Sequence, residues 1–215
     1  MRLLLGAAIA ALACGAAFAQ TVTVSDAAKT FSFDKPQKWP AIEDKTPPGG
    51  EVKVFVAGTA NEECWFVVYP HPETATATAT AVARSWNKEI PAADWTKTTE
   101  DAPLIRDGAT FVSTSIDTSR PFPIQQAIFN GKNGNVVVAI HPRPGSELRA
   151  YCGAYDGKDH TAALQAVAAS IKTPKDAEFE AQITAAKAAT EAQAAADAAA
   201  AAAAAEAAAK GKKKR

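Results

Sequence analysis

Beyond Ile183 the chain contains no apolar residue larger than alanine. Residues 181–209 hold 20 alanines in 29 positions, and the sequence closes on KGKKKR, with five positive charges. Such a segment has almost nothing to bury, so it cannot contribute to a core. Alanine is nevertheless the best helix former, and Glu206 precedes Lys210 by four residues in the favourable order. A helix over 176–210 is therefore expected, extending about 50 Å at 1.5 Å per residue. Lacking an apolar stripe, it makes neither a strong coiled coil nor a membrane span, and it reads as a semi-rigid spacer of the EAAAK kind. Phe179 and Ile183, four residues apart, can dock its first turns onto the preceding domain. Folding is thereby confined to residues before Pro174.

The start of the chain is equally set apart. MRLLLGAAIAALACGAAFAQ has a single charge at Arg2, an apolar run from Leu3 to Ala13, and the small-x-small site Ala17-Phe18-Ala19. This order predicts a signal peptide cleaved before Gln20, and its short Ala-rich form points to a bacterial periplasmic or secreted protein. The run is too short and too Ala-rich for an N-terminal anchor. A lipoprotein reading through Cys14 lacks the usual Leu, since Ala11 stands three residues before it. The expected division is a signal peptide at 1–19, a globular domain at 20–174 and a helical extension with a basic tip at 175–215.

Charge and cysteines narrow the class. The 23 basic and 23 acidic residues cancel. Loss of Arg2 with the signal leaves −1, and setting aside the five cations of the tip leaves −6, so no nucleic acid is expected as a partner. No second apolar run reaches the ~18 residues of a transmembrane segment. Cleavage also removes Cys14 and leaves Cys64 and Cys152, an even number in an oxidising compartment, where a disulfide is expected. Closing a loop of that length contributes up to about 4–5 kcal/mol in the chain-entropy model. Neither cysteine has a C-x-x-C partner or an adjacent basic residue to activate it.

Periodicity supplies the elements. Thr21–Val24 and Phe31–Phe33 alternate around a turn and read as a hairpin, stopped by Pro36 and Trp39-Pro40. Residues 41–50 read as an exposed turn, Val52–Val56 as a strand, and Cys64–Tyr69 as a central strand ended by Pro70-His71-Pro72. Ala79, Val82, Trp86 and Ile90 share one helical face, which predicts a helix over 78–90 stopped by Pro91 and followed by a polar stretch. Three strands are expected at Thr110–Ile116, Ile124–Phe129 and Asn135–Ile140, the last two joined through NGKNGN at 130–135. A closing helix carries Leu164, Val167 and Ile171 on one face. Blocks of neighbouring strands with helices after them predict an α+β fold, an antiparallel sheet with flanking helices, followed by the Ala-rich helical tail.

The opening FSFDKPQKWP, a strand followed by Pro36 and then Trp39, resembles the PsbP-like superfamily. The helix after the fourth strand and the closing LQAVAASIKT helix fit the same pattern, which covers about residues 21–173. The resemblance implies an antiparallel sheet flanked by helices. It also implies a binding or assembly role without an active site, in a group whose bacterial members include secreted and lipid-anchored domains. The Cys64/Cys152 pair and the Ala-rich extension depart from that pattern.

Few residues of the chain carry the marks of chemistry. His71 and His141 each lie just past an expected strand end beside a proline, and two imidazoles at one sheet edge could hold Zn or Cu with Glu73 or His160. No H-x-H, H-E-x-x-H or G-x-S-x-G spacing supports metal binding or hydrolysis, and Ser85, Ser113, Ser115 and Ser146 show no base in register. The neighbours Glu62-Glu63 and Glu100-Asp101 project to opposite faces of a strand and share no proton. The glycines of Gly49-Gly50 and NGKNGN open no helix, so no phosphate cradle and no cofactor is expected. Trp65 and Trp86 are expected in the core. Trp39 and Trp95, beside loops and prolines, either lid the sheet or form a binding surface. The tip residues Lys210, Lys212, Lys213, Lys214 and Arg215 suit an anionic surface, at about 1 kcal/mol per basic residue, or serve to balance the helix dipole and solubilise the tail.

The leading expectation is an exported, non-enzymatic binding or assembly-type module of the cell envelope whose tail is a spacer or tether, with an envelope protein or anionic surface as partner. The alternative is a small periplasmic metal-binding or hydrolytic domain using His71 and His141.

Overall fold

The computed structural model describes residues 21–99, 102, 104–105 and 108–212. The expected signal peptide with Cys14, the pair Glu100-Asp101, and Lys213, Lys214 and Arg215 lie outside the described residues.

Strands β1 (Thr21–Ser25) and β2 (Ser32–Pro36) form the opening hairpin. Then come β3 (Glu43–Asp44), β4 (Lys53–Gly58), β5 (Glu62–Pro70), helices α1 (Ala79–Ser85) and α2 (Ala92–Thr99), β6 (Thr110–Asp117), β7 (Ile124–Gly131), β8 (Gly134–Arg143), β9 (Ser146–Ala154), α3 (Thr161–Ala169) and α4 (Asp176–Lys212). Strands β3 to β9 make one seven-stranded antiparallel sheet in the order β3-β4-β5-β9-β8-β7-β6. The chain is α+β, with helices against the sheet and a long helix at its end.

Alternation along the strands sorts the sheet into two faces. On one face Phe55, Cys64, Phe66, Leu148, Ala150 and Cys152 meet Phe31 and Phe33 of the hairpin and Leu164, Val167 and Ile171 around α3. The rings interlock, with Phe33 and Phe66 centroids 3.9 Å apart. Burying such a side chain is worth about 1.5–3 kcal/mol. On the other face α2 sets Trp95 against Ala127, Phe129, Val138 and Tyr151. A third cluster joins Val82 of α1 to Phe122, Phe179 and Ile183.

Three elements differ from the periodic reading. The helix expected over 78–90 stops at Ser85 with Trp86 as its cap, and α2 follows where a polar stretch was expected. Pro91 does not end a helix here: its carbonyl accepts from Asp94 and Trp95 N–H, so it opens one, in keeping with the preference for proline at a helix start. Strand β9 was not expected, because Glu147 and Arg149 break its apolar run. Both lie on one face and pair with each other, while Leu148, Ala150 and Cys152 line the other. The short β3 interrupts the 41–50 turn. Trp65 and Trp86, expected in the core, are half-buried.

Cys64 and Cys152 are register partners on β5 and β9 and are disulfide-bonded, with Cα atoms 4.0 Å apart and both side chains fully buried. The bond spans 88 residues of sequence. Replacing both cysteines with alanine should lower the unfolding free energy by about 2–5 kcal/mol in a urea titration. An unchanged midpoint and slope would show that the bond does not form in solution.

Candidate functional site

The β8–β9 turn gathers the chemistry-bearing side chains. Gly145 takes φ +78°, a conformation open to glycine without a Cβ penalty. Its carbonyl accepts from His71 N–H (2.9 Å), and its N–H donates to Thr74 Oγ1 (3.1 Å). This pins the 3-10 turn Pro72–Thr74 beside the hairpin end. A cleft of about 240 Å³ opens between them and α1, lined by His71, Glu73, Ser85, Trp86, Arg143 and Glu147 among others. His71 Nδ1 is 2.6 Å from Glu73 Oε1, and its Nε2 is 3.8 Å from Glu147 Oε2. Glu147 is buried and paired with Arg149, whose guanidinium lies 4.7 Å from the Tyr69 ring centroid. The Glu73 carboxyl is held below the usual carboxylate value by its own backbone N–H and by His71. Ser85 donates its hydroxyl to the Val82 carbonyl at 2.8 Å, so that proton is committed to the helix. The arrangement gives polar recognition groups beside the indole of Trp86.

His71 and His141 do not come together. Glu147 and Leu148 are consecutive on β9 and so project to opposite faces. His71 meets Glu147, while His141 is the register partner of Leu148. His141 is fully buried, and its Nε2 donates to the Ala168 carbonyl of α3 at 2.8 Å. Burial first, then the charge of Arg143, pushes its pKa down to about 3, so the ring is neutral. The sheet therefore separates the two imidazoles that the sequence suggested as joint metal ligands. The third histidine, His160, sits between Asp156 Oδ1 (2.9 Å) and Glu62 Oε2 (3.4 Å), at the end of β9 away from the cleft. Among the described residues, no group of three or more His, Cys, Asp or Glu side chains is placed to hold a metal ion.

Trp39 and Trp95 do not form an exposed surface: they are 2% and 0% exposed. Trp39 N–H donates to the Pro36 carbonyl (3.0 Å), so the turn after β2 folds the indole into the core, where Nε1 donates to Glu62 Oε1 at 3.1 Å. Trp95 Nε1 donates to Thr114 Oγ1 at 2.8 Å. Buried indoles need such partners, and both positions supply one. Glu62 and Glu63 point to opposite faces. Glu62 is buried and paired with Lys38, while Glu63 accepts from Trp65 Nε1 (3.0 Å) and Tyr155 Oη (2.6 Å) on the other side. Burial alone would raise the Glu62 carboxyl; hydrogen bonds from Lys38 and Trp39 outweigh it and lower the value.

A pair that sequence reasoning missed fixes α4 to the domain. Arg143 Nε and Nη2 donate to the two carboxylate oxygens of Asp176, each at 2.8 Å, with the residues 7% and 8% exposed. Burial would raise the Asp176 carboxyl, but the hydrogen bonds and charge of Arg143 lower it. The guanidinium lies 4.4 Å from the Phe122 ring centroid, and Phe179 packs edge-on against that ring at 5.9 Å. The signal was present in part, since Asp176 follows Pro174 at a helix start, but its partner lies 33 residues away. Farther along α4, residues 187–206 are exposed throughout, and the backbone helix reaches Lys210 and Lys212.

Removing one partner of a buried, bidentate pair leaves an uncompensated charge. Asp176→Ala should therefore cost about 3–5 kcal/mol, and adding Arg143→Met should recover part of that loss. Urea titration of both variants checks this; a loss below about 1 kcal/mol for Asp176→Ala would mean that water already screens the pair.

Neither a family model nor a curated protein sequence matches the chain. In structure it is similar to the solution structure of cyanobacterial PsbP (CyanoP) from Synechocystis sp. PCC 6803. The TM-score is 0.50 at 16% identity, over 74% of this chain and 95% of that one. With its antiparallel sheet and flanking helices, the chain has a PsbP-like fold.

Proposed function

We propose that this protein is an exported, non-catalytic binding or assembly-type module of the bacterial cell envelope. In this reading α4 is a spacer that holds a basic tip away from the folded domain, and the partner is an envelope protein or an anionic surface. The observation that carries it is the division of α4 into two parts. Its first turns are fastened by Asp176, Phe179 and Ile183, whereas residues 187–206 touch nothing that shields them from solvent. A helix that buries no surface over that length serves by its reach, which from residue 187 to 212 is about 39 Å at 1.5 Å per residue. The PsbP-like fold supports an accessory role. The buried Cys64–Cys152 bond suits an oxidising compartment, as does the signal-like start of the chain. No described helix is long and apolar enough to cross a membrane.

Cells expressing the full chain or a version ending at residue 186 would be crosslinked, fractionated and compared. The full chain should appear in the envelope fraction with captured partners. The shortened form should keep its melting temperature and move to the soluble periplasmic fraction. Equal capture of both forms would place recognition on the domain and remove the spacer role, and recovery of the full chain from the cytoplasm would overturn export.

A further inference from the structure

The junction of α4 with the domain contains a second unusual feature. His141 Nδ1 is the one buried side-chain nitrogen or oxygen among the described residues without a protein hydrogen-bond partner. Because Nε2 carries the hydrogen given to the Ala168 carbonyl, Nδ1 presents a bare lone pair. His141 lines a cavity of about 40 Å³ with Arg120, Phe122, Arg143, Lys172, Asp176 and Glu180 among its walls. That is room for about one water molecule. Unpartnered ring nitrogen, cavity and α4 anchor therefore meet at one place.

We propose that this junction is an acid-opened clamp: protonation of His141 frees the first turns of α4 from Phe122 and α1, while the disulfide-closed sheet stays folded. Burial first, and then the positive charge of Arg143, makes the closed junction intolerant of a second proton on the ring, although Asp176 pulls the other way. Of the charged groups around the ring, strand β8 contributes Arg143. The segment before β7 contributes Arg120, itself 3.6 Å from Asp117, and the segment before α4 contributes Lys172. Helix α4 contributes Asp176 and Glu180, while α3 offers only the Ala168 carbonyl and β9 the apolar Leu148. Of the two α4 carboxylates that line the cavity, Asp176 is already held by both Arg143 nitrogens and by Thr173. An imidazolium is accommodated if Asp176 turns from Arg143 to His141, or if water floods the cavity. Each route breaks the pair that pins α4.

The rest of α4's attachment is small, Phe179 on Phe122 and Ile183 near α1, so opening here is local. The sheet keeps its disulfide and the cores on both faces, which do not depend on α4. With the ring at about 3 when closed and at its ordinary 6.5 when hydrated, the open-to-closed ratio rises by about tenfold per pH unit below 6.5, or roughly 30-fold at pH 5. The inference concerns the joint alone and stands whatever the tip contacts.

The test uses the full mature, oxidised chain with spin labels at Lys45→Cys and Ala195→Cys, read by double electron–electron resonance. A narrow distance distribution at pH 7.5 should broaden reversibly at pH 4.5. In His141→Gln, which keeps a donor for the Ala168 carbonyl and cannot titrate in this range, it should stay narrow at both. An unchanged distribution in the parent protein, or equal broadening in His141→Gln, would overturn the clamp. Hydrogen exchange on the unmutated chain covers the case in which the variant fails to fold. Amides around Phe179 to Ile183 should lose protection on acidification, after correction for intrinsic rates, while those of β5 and β9 keep theirs. Simultaneous loss in both regions would overturn the proposal.

Discussion

Strand β9 is hydrogen-bonded along its whole length, to β5 on one side and β8 on the other, and a disulfide closes its join with β5. This insertion brings the last strand of the chain into the middle of the sheet, so β3-β4-β5 and β8-β7-β6 join into one sheet through it. The alternation of its side chains then fixes what each face receives. Leu148, Ala150 and Cys152 build the core beneath the opening hairpin and α3, while Glu147, Arg149 and Tyr151 face the other side. A slip of one residue would exchange these sets, burying two charges under α3. The cross-strand disulfide prevents that slip. The same parity places His71 and His141 on different sides of the sheet.

Buried polar groups in this fold sit at joins between elements. Gln125 of β7 donates to the Trp86 and Lys88 carbonyls (2.8 and 2.9 Å) and accepts from Ile90 N–H (3.2 Å), so one side chain holds the link between α1 and α2. Asp26 accepts from the Thr30 and Phe31 N–H groups and closes the β1–β2 turn. Glu62 ties β5 to Trp39 and Lys38 in the segment after β2. Each such group costs free energy to desolvate and regains it only when the join is correctly made. The joins are therefore specified by geometry rather than by apolar area. His141 is the exception among the described residues, because half of its hydrogen-bonding capacity finds no protein partner.

The strands legible in the sequence either alternate in polarity or, like β5 and β8, run apolar between turn residues. Clean alternation and turn residues marked β1, β2, β4 and β6, and NGKNGN marked the β7–β8 hairpin, which turns at Lys132-Asn133 between paired Gly131 and Gly134. The Pro36–Trp39 spacing carried the fold resemblance for a physical reason: the proline ends β2, and the next turn drops the indole onto Glu62. What stayed hidden depends on contacts distant in sequence. In β9, Glu147 and Arg149 look like surface residues until each is seen to neutralise the other. Helix α2 is polar in composition and owes its place to Trp95, with Thr99 buried behind it and donating its hydroxyl to the Trp95 carbonyl. Arg143 stands between two prolines and reads as a loop cation, yet it is the main anchor of α4.

The anchor and the rod of α4 depend on one another. An alanine-rich segment propagates a helix readily but nucleates it poorly, because the first turn fixes several residues for a single hydrogen bond. Here that first turn is held by tertiary contacts: Asp176 lies in the Arg143 fork and Phe179 on the Phe122 ring. Acidic residues Asp176 and Glu178 also stand at the helix N-terminus, where they favour the dipole. The domain thus supplies the costly nucleus, and alanine supplies the length. It follows that the direction in which α4 leaves the domain is set by a few side chains around Arg143, far from the helix's other end. A change of less than one turn at that seam would be magnified along a 37-residue helix into a large displacement of its tip.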